Sequence, residues 1–85
     1  MTREEVERIM REVLAEAVPG VDADALDPDV PIRDQAEIDS MDFLAFVLAI
    51  ERRLGVEVPP ASYPLFATLR RASERALELT GAESA

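Results

Sequence analysis

Residues 37–55, EIDSMDFLAFVLAIERRLG, place one serine between two aspartates directly ahead of an apolar segment. Asp and Ser are favoured at helix N-termini because their side-chain oxygens accept backbone N–H groups that the first turn leaves unpaired. Glycine is favoured just past the last turn because it adopts the left-handed conformation at no steric cost. We therefore predict a helix over residues 40–54 that Gly55 closes.

This helix carries two apolar stripes. At about 100° per residue, its apolar positions divide into one stripe of Phe43, Phe46, Val47, Ile50 and Leu54 and another of Met41, Leu44 and Leu48. One stripe is enough to join a helical bundle, so two interpretations are open. Either the helix lies in the middle of the fold and buries both stripes, or the second stripe stays partly exposed beside Ser40. In the latter case Asp42 and Glu51 rim an apolar strip of the kind that docks partners.

Three more helices are predicted around it. Apolar residues recur at helical spacing from Val6 onward, which indicates an amphipathic first helix over residues 2–17 with Thr2 and Glu5 as a capping box. A short third helix is predicted over residues 61–66, with Pro64 tolerated only in its first turn, and a fourth over residues 68–79. The fold class is all-α: a small four-helix bundle of three main helices and one short one, forming a single domain over residues 1–85.

A long acidic connection separates the first two main helices. Residues 20–38 contain repeated prolines and aspartates together with apolar anchors, and loops of this length are usually functional or pinned by their side chains. Residues 22–42 hold eight acidic residues against Arg33 alone, a net charge of −7 in a chain whose net charge is −9. This charge repels nucleic acid and steers basic protein partners toward the segment. The spacing of the acids does not fit a calcium-binding loop.

Absent residue types exclude most chemistry. The chain has no His, Cys or Lys, so it cannot build a Ser-His-Asp triad, a Schiff base or a typical zinc site. We therefore expect no catalytic site and no metal. The charged N-terminus has no secretory signal, and the longest apolar run, residues 43–50, is too short to cross a membrane. We expect a cytoplasmic, monomeric protein without nucleic-acid or membrane partners.

Around Ser40 the sequence resembles the acyl carrier proteins, whose hallmark is Asp-Ser-Leu at the start of the second helix. Here the motif is Asp39-Ser40-Met41. The resemblance covers nearly the whole chain, because the first helix, the acidic loop, the apolar second helix, the exit over residues 56–59 and the closing helix follow in family order. Two residues depart from the pattern: Glu37 stands where the family more often has Gly, and Met41 replaces the common Leu.

The resemblance implies that a phosphopantetheinyl transferase moves 4′-phosphopantetheine from coenzyme A onto Ser40, flanked by Asp39 and Met41. Acyl groups then travel as thioesters to enzymes of a fatty-acid, polyketide or specialised acyl-transfer pathway, and the interior between the helices sheaths them. Basic patches of these enzymes are expected to dock on Glu37, Asp42, Leu44, Leu48, Glu51 and Val58. The start at Met1 and the length favour a free-standing carrier.

Two alternatives stay open. An aminoacyl or peptidyl carrier of a nonribosomal pathway shares the fold and the serine attachment. An acidic helical adaptor has no prosthetic group, and in it Ser40 only caps the helix. The adaptor hypothesis predicts that Ser40→Ala lowers stability by about 1 kcal/mol and changes nothing else.

Overall fold

The computed structural model describes residues 1–81, whose regular elements are all helical. In chain order they are α1 (Arg3–Ala17), the 3₁₀ turn η1 (Ala23–Ala25), α2 (Ile32–Gln35), α3 (Ser40–Leu54), the 3₁₀ helix η2 (Pro60–Phe66) and α4 (Leu69–Thr80). The prediction of an all-α fold with three main helices and a short third one is confirmed. The predicted boundaries differ from those observed by one residue at most.

The helix ends follow the predicted capping residues. The Thr2 hydroxyl oxygen accepts a hydrogen bond from the Glu5 N–H at 3.1 Å, although the Glu5 carboxylate accepts from the Thr2 hydroxyl and the predicted capping box is only half formed. Thr68 caps α4 in the same way. Gly55 and Gly81 adopt the left-handed conformation at the ends of α3 and α4, with φ of 66° and 73°.

The middle helix of the bundle is α1. It packs against both α3 and α4, and its residues Val6, Met10, Val13 and Leu14 are buried. The hypothesis that α3 lies in the middle and buries both of its stripes is therefore wrong. Only the first stripe faces the core, because α3 has one large neighbour instead of two. Phe46, Val47 and Ile50 of this stripe are fully buried, and Phe43 and Leu54 are partly buried.

The long connection is ordered by its own side chains. Ile32 and Leu26 are buried in the core, and the Arg11 guanidinium donates to the Ala23 and Leu26 carbonyl oxygens at 2.6 and 3.0 Å. The Gln35 side chain closes the loop on itself through hydrogen bonds with the backbone of Asp27 and Val30. The prediction that side chains pin this connection is confirmed.

The connection is also tied to the region around the start of α4. The Ile32 N–H donates to the Ala67 carbonyl at 2.8 Å, and the Arg70 N–H donates to the Pro28 carbonyl at 2.9 Å. The Arg70 guanidinium pairs with the Asp29 carboxylate, and the hydrogen bond from Arg70 holds the pKa of Asp29 below its usual value. The bond between Ile32 and Ala67 fixes α2 against the residue that follows η2, and the Arg70 contacts fix the loop before α2 against α4.

One expectation about proline needs correction. Pro64 is the fifth residue of η2 and lies inside the helix, not in its first turn. The segment is a 3₁₀ helix, whose hydrogen bonds run from i to i+3. The lost i to i−4 hydrogen bond and the ring clash that exclude proline from the interior of an α-helix therefore do not apply in the same form. Pro64 is exposed, and its carbonyl accepts the Ala67 N–H at 3.3 Å.

Candidate functional site

Asp39, and not Ser40, is the N-cap of α3. Its carboxylate accepts the Asp42 N–H at 2.8 Å, and the Asp42 carboxylate accepts the Asp39 N–H at 3.1 Å. This reciprocal pair is a capping box that leaves Ser40 as the first helical residue. The premise that Ser40 caps the helix is therefore wrong. Both residue types can cap, and the extended backbone of Asp39 gives the role to the aspartate.

The Ser40 side chain is exposed, and its hydroxyl makes no hydrogen bond with any other residue between 1 and 81. It lies at the N-terminus of a fifteen-residue helix, where backbone N–H groups lack partners within the helix and the helix dipole favours negative charge. An exposed hydroxyl with no structural role, at a position that favours a phosphate group, fits the attachment of a phosphate ester.

A pocket of about 490 Å³ opens beside this hydroxyl. Its walls come from the start of α3, from α2 and from η2, and they comprise Ser40, Pro31, Arg33, Phe43, Leu44, Tyr63, Pro64 and Ala67. Most of these side chains are apolar, and small-molecule sites typically measure about 300–1,000 Å³. This pocket could not be predicted from the sequence, because segments far apart in the chain form it and no local pattern shows that they meet.

The second apolar stripe of α3 lies on the surface. Met41 is 79% exposed, Leu44 41% and Leu48 42%. The interpretation that this strip stays exposed beside Ser40 is confirmed. Asp42 is half-buried at the end of the strip that lies nearest Ser40, and Glu37 is exposed in the loop before α3. The structure therefore brings the strip and its acidic rim to the same end of α3 as the serine.

The other two predicted docking residues lie together near the end of α3. The Glu51 carboxylate accepts the Val58 N–H at 2.8 Å, which holds the exit segment against the helix. Val58 itself is only 3% exposed and belongs to the core. This burial removes the Val58 side chain from the candidate docking surface, whereas the half-buried Glu51 carboxylate stays at its edge.

Residues 1–81 contain no group of three or more acidic side chains placed to hold a metal ion. None of the helices in this range is both long and apolar enough to cross a bilayer.

Comparison with known proteins assigns the family. Residues 5–76 match the family model described as a phosphopantetheine attachment site. An acyl carrier protein of Rubrobacter xylanophilus is 28% identical over 78 residues, which cover 92% of this chain and 95% of that protein. The chain belongs to the phosphopantetheine-attachment family, and the resemblance to the acyl carrier proteins is confirmed. Carriers of this kind hold 4′-phosphopantetheine covalently and have no catalytic activity of their own.

The capping arrangement makes a prediction about stability. Replacing Asp39 by Ala should lower the free energy of unfolding by about 0.5–2 kcal/mol, whereas Ser40→Ala should leave it nearly unchanged because the hydroxyl makes no bond within the described chain. Urea denaturation of the unmodified protein measures both changes. Asp24→Ala, which removes an exposed acid of the same segment, controls for the change in net charge. An equal loss in the Ser40 and Asp39 variants would contradict the assignment of the cap.

Proposed function

We propose that this protein is an acyl carrier in which Ser40 holds the 4′-phosphopantetheine and the acyl thioesters formed on it. One observation carries the proposal: the exposed Ser40 hydroxyl stands without a hydrogen bond to residues 1–81, at the start of α3. This position lies within the segment that matches the attachment family. The bound group supplies the thiol that this cysteine-free chain lacks.

The residues around Ser40 assign the proton transfer to a partner. Attachment forms a bond from the Ser40 oxygen to a phosphorus of coenzyme A, and the adenosine bisphosphate part leaves. The hydroxyl proton needs a base, but the chain has no His or Lys, and the neighbouring carboxylates of Asp39 and Asp42 accept backbone hydrogen bonds in the capping box. A separate phosphopantetheinyl transferase therefore supplies the base, while the carrier presents an accessible oxygen.

The apolar pocket supports acyl cargo. Phe43, Leu44 and Tyr63 line it beside the attachment point, and removing an alkyl chain from water into such a pocket is favourable. An aminoacyl or peptidyl cargo would bring polar groups for which these walls offer few partners. The related protein is also named as an acyl carrier. We therefore favour the acyl carrier over the aminoacyl or peptidyl carrier.

We also propose that the exposed strip of Met41, Leu44 and Leu48 is the surface on which partner enzymes dock. Glu37 and Asp42 add negative charge near the end of the strip that lies closest to Ser40. Charge complementarity of this kind raises association rates and fixes orientation more than it adds affinity, which suits a carrier that must be released. Partners with a basic patch around an apolar centre fit this surface.

Loading tests the function directly. Incubation with coenzyme A and a broad-specificity phosphopantetheinyl transferase should raise the intact mass of the wild-type protein by one phosphopantetheinyl group. Ser40→Ala should gain nothing, and the matched variant Ser62→Ala should gain the same mass as wild type. If folded wild-type protein stays unmodified while a known carrier is loaded in the same reaction, the proposal is wrong.

The docking strip makes a separate kinetic prediction. Leu48→Gln should lower kcat/KM of the transferase by a factor of about 5–10 by raising KM, since it removes apolar area that a partner would cover. Its effect on thermal stability should be small, because Leu48 is already 42% exposed. The control is Ala15→Gln, a change at an exposed position of α1. Equal kcat/KM for both variants would contradict docking at the strip.

A further inference from the structure

Among residues 1–81, Arg33 is the one charged residue that lines the pocket beside Ser40. It is exposed, and it forms no ion pair with the other residues of the range 1–81. Most arginines of that range behave differently, because ion pairs are formed by Arg3, Arg8, Arg11, Arg53, Arg70 and Arg75. Arg33 is therefore a cation without an ion-pair partner among residues 1–81, at the edge of an apolar pocket.

The missing partner is not explained by a shortage of acids. Residues 22–42 contain eight acidic residues around this single arginine, but several of them are engaged elsewhere. The Asp29 carboxylate pairs with Arg70, and the carboxylates of Asp39 and Asp42 form the capping box. Arg33 is thus left available for an anion that residues 1–81 do not supply.

The backbone that carries Arg33 is held firmly. The neighbouring Ile32 side chain is fully buried, its N–H donates to the Ala67 carbonyl at 2.8 Å, and Gln35 anchors the other end of α2 through hydrogen bonds to the preceding loop. The exposed Arg33 side chain itself makes no hydrogen bond or ion pair within residues 1–81. Because the backbone of α2 is already ordered, an anion that binds the Arg33 guanidinium costs little additional backbone entropy.

We propose that Arg33 binds the phosphodiester of the 4′-phosphopantetheine on Ser40 and so holds the start of the prosthetic group over the pocket. This inference rests on the proposed function, namely that Ser40 is the attachment residue. Ser40 and Arg33 line the same pocket, and the phosphodiester has one negative charge at neutral pH. The planar guanidinium presents two parallel N–H donors to phosphate oxygens. The negative carboxylates of Asp39 and Asp42 repel the phosphodiester, so the side of Ser40 that faces Arg33 is the favourable one for this group.

The interaction is suited to a reversible hold. Exposed ion pairs are weak and are screened by salt, so Arg33 biases the position of the prosthetic group without trapping it. A basic patch on a docked enzyme competes for the same phosphodiester. Arg33 is thus a positioning residue that favours the pocket-facing arrangement until a partner binds.

The test compares loaded proteins by phosphorus NMR. Wild type, Arg33→Gln, Arg33→Lys and the control Arg52→Gln are loaded with phosphopantetheine, and the holo fraction of each is confirmed by intact mass. Arg52 is a suitable control because it is exposed and lies near the opposite end of α3. The phosphorus transverse relaxation rate reports how far the phosphodiester follows the tumbling of the protein.

We expect the phosphorus of holo Arg33→Gln to relax more slowly than that of wild type, because its phosphodiester moves more freely. The ratio of held to free phosphodiester should fall roughly 1.5–5-fold. Arg52→Gln should match wild type, and Arg33→Lys should retain part of the effect. About 1 M salt should bring wild type toward Arg33→Gln. Loading should also shift the Arg33 Nε–H signal in the wild-type nitrogen spectrum and leave that of Arg52 in place.

Two different failures can be told apart. Equal relaxation rates in wild type and Arg33→Gln, with no shift of the Arg33 signal on loading, overturn the role of Arg33 and leave the carrier function intact. A wild-type protein that gains no mass overturns the attachment at Ser40, and the role of Arg33 with it. Thermal unfolding of the apo variants, expected to match wild type because Arg33 is exposed and unpaired within residues 1–81, verifies that the fold is intact.

Discussion

The hydrogen bonds between Asp39 and Asp42 are the interaction on which the site depends. By closing a capping box they make Asp39 the last residue outside α3 and Ser40 the first residue within it. Burial of Phe46, Val47 and Ile50 against the core then fixes the rotation of the helix. Together the two constraints leave the serine hydroxyl exposed and without a hydrogen bond to residues 1–81, at the helix end that favours an anion. An aspartate performs the structural task and leaves the serine free for chemistry.

The small size of the domain accounts for the remaining surface. A chain of 85 residues has a limited core, and here α1 occupies its middle. The stripe of α3 that does not face this core stays on the outside, next to the serine. The tie between Ile32 and Ala67 brings α2 to the segment after η2, and with η2 these two form the far walls of the pocket. Packing thus produces the exposed strip of Met41, Leu44 and Leu48, the pocket and the position of Arg33.

Much of this arrangement follows from local patterns in the sequence. Helical spacing and terminal glycines place the main helices within one residue, because each pattern involves neighbours along the chain. The motif Asp39-Ser40-Met41 marks the start of α3, and helical phase correctly separates its two stripes. The two turns within the connection, η1 and α2, span only three and four residues, too few to show a period.

Other features could not be predicted because they depend on tertiary contacts. Adjacent Asp39 and Ser40 are both competent caps, and only the backbone conformation decides between them. Which helix is central depends on packing that no single stripe reveals. Val58 looks like part of an exposed exit segment, but its side chain fills the core. The pocket, with Arg33 in its wall, arises where three separate segments meet, and no local pattern shows that Arg33 lacks an ion pair within residues 1–81.

The central claim is that Ser40 is the attachment residue, and peptide mapping of the loaded wild-type protein tests it most directly. Trypsin cuts after Arg33 and Arg52, and the resulting peptide, residues 34–52, contains Ser40 and no other serine, threonine or tyrosine. The account predicts that this peptide alone gains the mass of one phosphopantetheinyl group, on the serine. Modification on a different peptide, such as one that contains Ser62 or Ser73, would contradict it.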